Sequence, residues 1–94
     1  MHIDDFIWLP DIVDKLATKH GLRQDEIEDL FFNRPRFRFV EPGHTPGEDV
    51  YAATGQSDNG RYLIVFFILK SDSVALILSA RDMDRSERRR HERK

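Results

Sequence analysis

The sequence predicts an α+β fold, and three observations carry that prediction. Apolar residues recur at helical spacing through the first third of the chain, and at Arg36 the pattern switches to alternation. The eight residues Tyr62 to Leu69 are apolar on both faces, as expected of an interior strand. Clusters of Gly, Pro, Ser, Asp and Asn separate these segments. The expected order is N-terminal helices, an antiparallel meander of three to four strands, and a basic C-terminal helix, in a single domain over residues 1–94.

Residues 3–8 read as a short strand stopped by Pro10, which also suits the first turn of a helix, where its missing N–H is not needed. Ile12, Val13, Leu16 and Ala17 share a helical face, Asp11 and Asp14 sit near the positive N-terminal end, and Gly21 supplies the stop. A second helix over about 24–33 repeats Ile27, Leu30 and Phe31, with Leu22 placed to staple against Ile27, and Pro35 ends it.

From Arg36 the side chains alternate, Phe37 and Phe39 one way and Arg36 and Arg38 the other. The loop Glu41 to Glu48 holds two Pro and two Gly and is irregular. A strand at about 49–56 leads into Ser57-Asp58-Asn59-Gly60, a hairpin signal, and Arg61 to Lys70 returns as the central strand. Ser71-Asp72-Ser73 turns the chain into a last strand, Val74 to Arg81. Asp84 and Glu87 have capping-box spacing and open a final helix that is nearly all charge.

The net charge of -2 hides an asymmetry. Residues 1–60 carry six Lys/Arg against twelve Asp/Glu, whereas residues 61–94 carry nine against five, so an acidic body precedes a basic tail. Such a tail points to an anionic partner, either RNA or an acidic protein. The chain has no Cys, which excludes disulfides, thiolate metal sites and a Cys nucleophile, and fits a reducing cytoplasm. His2, His20, His44 and His91 are too widely spaced to form a ligand pattern, so neither metal nor cofactor is expected. Asp4 and Asp5 interrupt any N-terminal targeting pattern, and the longest apolar run is far short of the roughly twenty residues that span a bilayer. A soluble, cytoplasmic protein is therefore expected.

Several segments in order carry a family likeness: Phe6-Ile7-Trp8, Lys19-His20-Gly21, Phe31-Phe32, Glu48-Asp49 behind His44, Gly60-Arg61-Tyr62-Leu63-Ile64-Val65, Ile77-Leu78-Ser79-Ala80-Arg81 and Ser86-Glu87-Arg88-Arg89. Together they resemble the BrnT toxins of BrnT/BrnA type II toxin–antitoxin systems over essentially the whole chain. The resemblance implies a RelE-like α+β fold, metal-independent ribonuclease activity and a BrnA-like antitoxin as partner, with a dimer bridged by the antitoxin as one assembly. Members often carry Tyr a few residues after Glu-Arg, where this chain has His91, and they tend to be more basic overall.

Metal-independent RNA cleavage needs a base near the ribose 2′-OH, an acid near the leaving 5′ oxygen and cations on the phosphoryl oxygens. Arg61 and Arg81 are the candidates for the phosphate, with rim arginines paired to carboxylates as the plain alternative. His44 and Glu48 on the Pro/Gly loop and His91 in the tail are the candidate proton carriers, the alternative being solvated polar residues. Arg36, Arg38, Ser79, Arg85, Arg88 and Arg89 are candidate RNA contacts, set against a solvent-facing strand and helix. His20 reads as a helix-end cation and Trp8 as a core or lid residue. The sequence thus leaves three functions open: an endoribonuclease toxin silenced by an antitoxin, a degenerate homologue that only binds partners, and an RNA- or ribosome-binding domain that uses its tail.

Overall fold

The structure is a computed structural model that describes residues 1–71 and 73–93. Among these, the elements in order are β1 (Asp5–Ile7), α1 (Pro10–His20), α2 (Gln24–Phe32), β2 (Arg36–Glu41), β3 (Val50–Gln56), β4 (Tyr62–Lys70), β5 (Val74–Asp82) and α3 (Arg85–Glu92). The turn expected at Ser71-Asp72-Ser73 includes Asp72, which lies outside the described residues.

The sheet order is β1-β5-β4-β3-β2. Strands β2 to β5 form the expected antiparallel meander, and β4 is interior. The sheet nevertheless has five strands among the described residues and is mixed, where three to four antiparallel strands were expected. The fifth is β1, which lies parallel to β5 with Asp5 opposite Val74 and Ile7 opposite Leu76. Ile3 and Phe6 join the core from this edge. A parallel partner has no hairpin to announce it, and α1, α2 and β2 to β4, more than half of the chain, separate β1 from β5, so local pattern does not reveal the pairing.

Helix α1 starts with Pro10 in its first turn and ends at Gly21, whose φ of 59° is left-handed. There Gly21 N–H donates to Ala17 O (3.2 Å) and Leu22 N–H to Leu16 O (3.0 Å), closing the helix end. Glu26 reaches back to cap α2, accepting from Arg23 N–H at 3.0 Å. The apolar stripes of both helices, Leu16 from α1 and Ile27, Leu30 and Phe31 from α2, bury against Ala53, Leu63, Val65, Phe67, Ala75, Ile77 and Ala80 of the sheet. Phe31 meets Phe67 edge-on at 5.4 Å and Phe6 at 5.2 Å, contacts worth about 0.5–1.5 kcal/mol each beyond their buried area. Trp8 packs against this core and donates its indole N–H to Glu28 Oε2 at 2.8 Å. No helix among the described residues is long and apolar enough to cross a membrane.

One irregularity decides which side chains reach the second face. Phe66 pairs with Ser79 but Phe67 pairs with Ile77, so Leu78 is an extra residue in β5. The bulge keeps Ala75 and Ile77 in the core and returns Ala80 to it, while Ser79 and Arg81 turn to the side away from α1 and α2. Strict alternation would have sent Arg81 into the core.

Candidate nucleic-acid interface

Register alone assembles a polar row on the second face. Arg36 pairs with Thr54, Thr54 with Ile64, and Ile64 with Arg81. The next row is Arg38, Ala52, Phe66 and Ser79. With about 4.8 Å between strands, the Arg36 and Arg81 backbones stand roughly 14 Å apart. Helix α3 lies over this end of the face. Its cap forms as the sequence predicts, Asp84 Oδ1 accepting from Glu87 N–H (2.7 Å) and Glu87 Oε1 from Asp84 N–H (2.9 Å).

Glu87 also fastens α3 to the sheet. Arg81 donates to both its oxygens, at 2.7 and 2.9 Å, a two-pronged pair that adds direction as well as charge. Hydrogen bonds from Arg81 and from Asp84 N–H pull the Glu87 carboxyl down to about 2, so it stays ionised. At the other end of α3, His91 stands edge-on to Tyr62 (5.9 Å between ring centres), the Arg88 guanidinium lies 4.1 Å over the Tyr62 ring, and Tyr62 Oη donates to Glu92 Oε2 at 3.2 Å.

Between β2, β3 and α3 lies a cavity of about 290 Å³, lined by Arg36, Phe37, Arg38, Thr54, Ile64, Glu87, Arg90 and His91. It adjoins a larger, open cleft of about 700 Å³, lined by Asn33, Arg34, Arg36, Gln56, Tyr62, His91, Glu92 and Arg93. Arg36 and His91 belong to both, so the two form one groove. Arg34, Arg36, Arg38, Arg90 and Arg93 line it, and the carboxylates present, Glu87 and Glu92, already accept from Arg81 and Tyr62. The arrangement can hold a polyanion.

The two arginines singled out in the sequence face opposite ways. Arg61 lies on the helix side, where its five N–H donors meet five acceptors: Asp82 Oδ1 and Oδ2 (2.8 and 3.0 Å), His20 O (2.8 Å), Gly21 O (2.9 Å) and Glu26 Oε2 (3.5 Å). It thus caps the C-terminus of α1 and compensates Glu26, whose side chain is only 4% exposed. Burial pushes the Glu26 carboxyl up, but Arg23 N–H, Asn59 and the Arg23 and Arg61 charges outweigh it and hold it below the usual range. The Arg61 hydrogen bonds likewise lower Asp82. Arg81, by contrast, has a half-exposed side chain and spends donors on Glu87 and on Asp82 O (3.3 Å), leaving its Nε–H and one terminal hydrogen without a protein acceptor among the described residues.

The remaining candidates divide by position. Arg36, Arg38 and His91 line the groove. Ser79 is exposed beside it, on the face of Arg81. Arg88 is spread over Tyr62, while Arg85 and Arg89 are exposed, and at about 100° per residue Arg89 lies some 160° around α3 from His91. Glu48 sits at the opposite end of the sheet, bonded to Lys70 Nζ at 2.7 Å, which lowers its carboxyl. His44 is on the same loop, exposed, and Val50 to Gln56 spans roughly 20 Å of strand between that loop and the Tyr62 end. Gly43 has no room for a side chain there, because a Cβ would strike the Glu48 carbonyl. Among the described residues no group of three or more His, Asp or Glu could hold a metal ion.

The candidates drawn from the sequence left out Arg34, Arg90, Arg93, Asn33, Gln56 and Tyr62, which line the groove. Arg90 falls within the conspicuous Arg88-Arg89-Arg90 run, but which of three consecutive arginines faces inward depends on how α3 docks. Arg34 carries a backbone signal visible only in the structure, a φ of 52° in a non-glycine residue.

A search of curated proteins finds no match. Among solved structures, the fold is similar to the crystal structure of the Brucella abortus ribonuclease toxin BrnT, with a TM-score of 0.61 at 14% identity, covering 90% of this chain and 100% of that one. The sequence model of the family described as "Ribonuclease toxin, BrnT, of type II toxin-antitoxin system" matches residues 8–87, most of the chain. The chain belongs to the BrnT family of ribonuclease toxins of type II toxin–antitoxin systems.

Proposed function

We propose that this chain is an endoribonuclease that cleaves RNA without a metal ion, using the groove between β2 and α3, and that a cognate antitoxin silences it. The observation that carries the reading is the convergence of Arg36, Arg38, Arg90 and His91 on one cavity beside the Arg81–Glu87 pair. In this reading the ribose 2′ oxygen attacks the adjacent phosphorus and the bond to the 5′ oxygen breaks. The products are a 2′,3′-cyclic phosphate and a free 5′-OH, the 2′ proton being carried away and one returned to the leaving oxygen. The arginines hold the charge that builds on the phosphoryl oxygens, where guanidinium pairs with phosphate through two hydrogen bonds. Arg81 contributes through the two donors it retains. His91 carries the proton, since an imidazole can both take and give one, whereas the Glu87 carboxyl, lowered to about 2, stays ionised and serves to fasten α3. Glu48 and His44, at the other end of the sheet, have no part in this site.

The antitoxin's place in this reading is over the groove and the half-buried apolar row beside it, Phe66, Ile68 and Leu76, where it would exclude RNA. The lack of cysteine suits the reducing cytoplasm in which such a pair would act.

The partial capture of Arg81 by Glu87 favours a second reading, a module that binds RNA or its antitoxin without cleaving. Incubating the purified protein with a 5′-labelled RNA in excess EDTA separates the two. Fragments ending in 2′,3′-cyclic phosphate are expected. Retention of intact RNA in a gel shift, with no cleavage, would leave only the second.

A further inference from the structure

We propose that the open cleft beside the cavity is a base-binding subsite that selects guanine next to the scissile phosphate, an inference that rests on the ribonuclease reading. The cleft runs directly into the cavity, through Arg36 and His91, so a nucleotide whose phosphate sits in one places its base in the other. Its volume, about 700 Å³, is within the range of small-ligand sites.

The hydrogen bonds of its walls define what they recognise. Asn33 Nδ2 donates to Gln56 O and to Asp58 Oδ1, both at 2.9 Å. Gln56 Nε2 donates to Gly60 O at 3.2 Å. All three partners are oxygens that only accept, so neither amide can be turned around. Both Asn33 N–H hydrogens and one of the two of Gln56 are therefore spent on the protein, and Asn33 Oδ1 and Gln56 Oε1 remain as acceptors. Glu92 adds a carboxylate, of which one oxygen takes the Tyr62 hydroxyl. Cations line the same cleft, among them Arg34, which the chain holds at a φ of 52° between the end of α2 and Pro35.

A wall of acceptors beside cations matches one base. Guanine alone presents two adjacent donors, N1–H and N2–H₂, next to an acceptor, O6, and its O6 and N7 pair with arginine. Adenine and cytosine place a ring acceptor beside their amino group, which would face an acceptor. Uracil offers one donor between two acceptors. Single-stranded RNA exposes this base edge, and the planar guanidinium groups of the cleft can stack on the ring.

The test is binding of the four nucleoside 3′-monophosphates to the full chain, followed by NMR chemical shifts, together with mapping of cleavage sites on a mixed-sequence RNA. Guanosine 3′-monophosphate should bind roughly 10-fold or more tightly than the other three. Gln56→Ala and Glu92→Gln should each reduce that preference several-fold while the spectra stay dispersed. Two variants on different elements guard against one failing to fold. Equal binding of all four, or cleavage of RNA with no nucleotide bound at the cleft, would overturn the guanine subsite and leave the ribonuclease reading intact. Guanine-selective binding by a protein that never cleaves RNA would uphold the subsite and sink the ribonuclease reading.

Discussion

Arg61 stands just before β4 and Arg81 on the neighbouring β5, each in a two-pronged pair with a carboxylate, yet the two sides of the sheet use them differently. On the helix side, Arg61 gives all five donors to the protein and ties α1 and α2 to β4 and β5. On the α3 side, Arg81 clasps Glu87 and keeps two donors at the border of an arginine-lined groove. A saturated guanidinium holds a fold together, and one with donors to spare can also meet a phosphate. The charged residue matters less than how many of its hydrogens the native state has already used.

That contrast predicts opposite phenotypes for the two substitutions. Arg81→Ala should lower RNA cleavage by a factor of about 10² to 10³, the cost of losing one donor to a developing oxyanion, while changing stability by no more than about 1 kcal/mol. Arg61→Ala should do the reverse. It strips the carbonyls of His20 and Gly21 at the end of α1 of their partner and leaves buried Glu26 with Arg23 alone, 3.9 Å away, so the free energy of unfolding in urea should fall by about 2–3 kcal/mol, discounted because Arg61 is partly solvated. If a stably folded Arg61→Ala protein loses activity as Arg81→Ala does, the division of labour fails.

A smaller effect locates the RNA. Replacing Arg36, Arg38 and Arg90 by Gln should reduce the salt slope of single-stranded RNA binding by about 2, near 0.7 for each phosphate that no longer meets a cation. Replacing Arg85 and Arg89, on the outer side of α3, should change it less. Equal changes would mean that the tail attracts RNA as a whole and the groove does not select a path.

The smallest effect sharpens the Glu87 clasp. Its carboxyl lies at about 2 in the folded protein against an ordinary value of 4.5. A folded value below the unfolded one means stability that is fully present above pH 4.5 and disappears as the pH falls toward 2. Glu26 and Asp82, also lowered, contribute in the same direction on the helix side. Glu87→Gln should therefore lower stability at pH 7 by on the order of 1 kcal/mol, after allowance for screening of a partly exposed pair, and flatten the acid limb of the urea midpoint against pH. An unchanged acid limb would mean that the clasp contributes nothing.

Much of the fold was legible because period and punctuation are local. The helices around Leu16 and around Ile27 and Phe31, the hairpin at Asn59-Gly60, the two-sided strand Tyr62 to Leu69 and the Asp84–Glu87 cap all follow from neighbours a few residues apart. The parallel pairing of β1 with β5 joins Asp5–Ile7 to residues 74–76, far apart in the sequence, and has no local mark. The candidate site was half legible for the same reason. Arg36, Arg38 and His91 carry the right chemistry in readable elements, but the bulge at Leu78 sets which way Arg81 points, and the docking of α3 sets that Arg90 faces the groove while Arg89 does not. Both are decided by packing. The sequence could nominate Arg61, yet only the positions of the His20 and Gly21 carbonyls, of Asp82 and of Glu26 reveal that nothing is left for it to donate.

The most direct test of the account is a titration of the isotope-labelled protein with a short, cleavage-resistant RNA, in which the 2′-OH groups are replaced by 2′-O-methyl, followed by backbone chemical shifts. The account predicts that the largest changes fall on Arg34 to Arg38, Thr54, Gln56 and Glu87 to Arg93, on the α3 side. Gly21, Glu26 and the loop from His44 to Glu48 should stay still. Shifts centred on that loop or on the Arg61 network, with the β2–α3 groove unmoved, would contradict it.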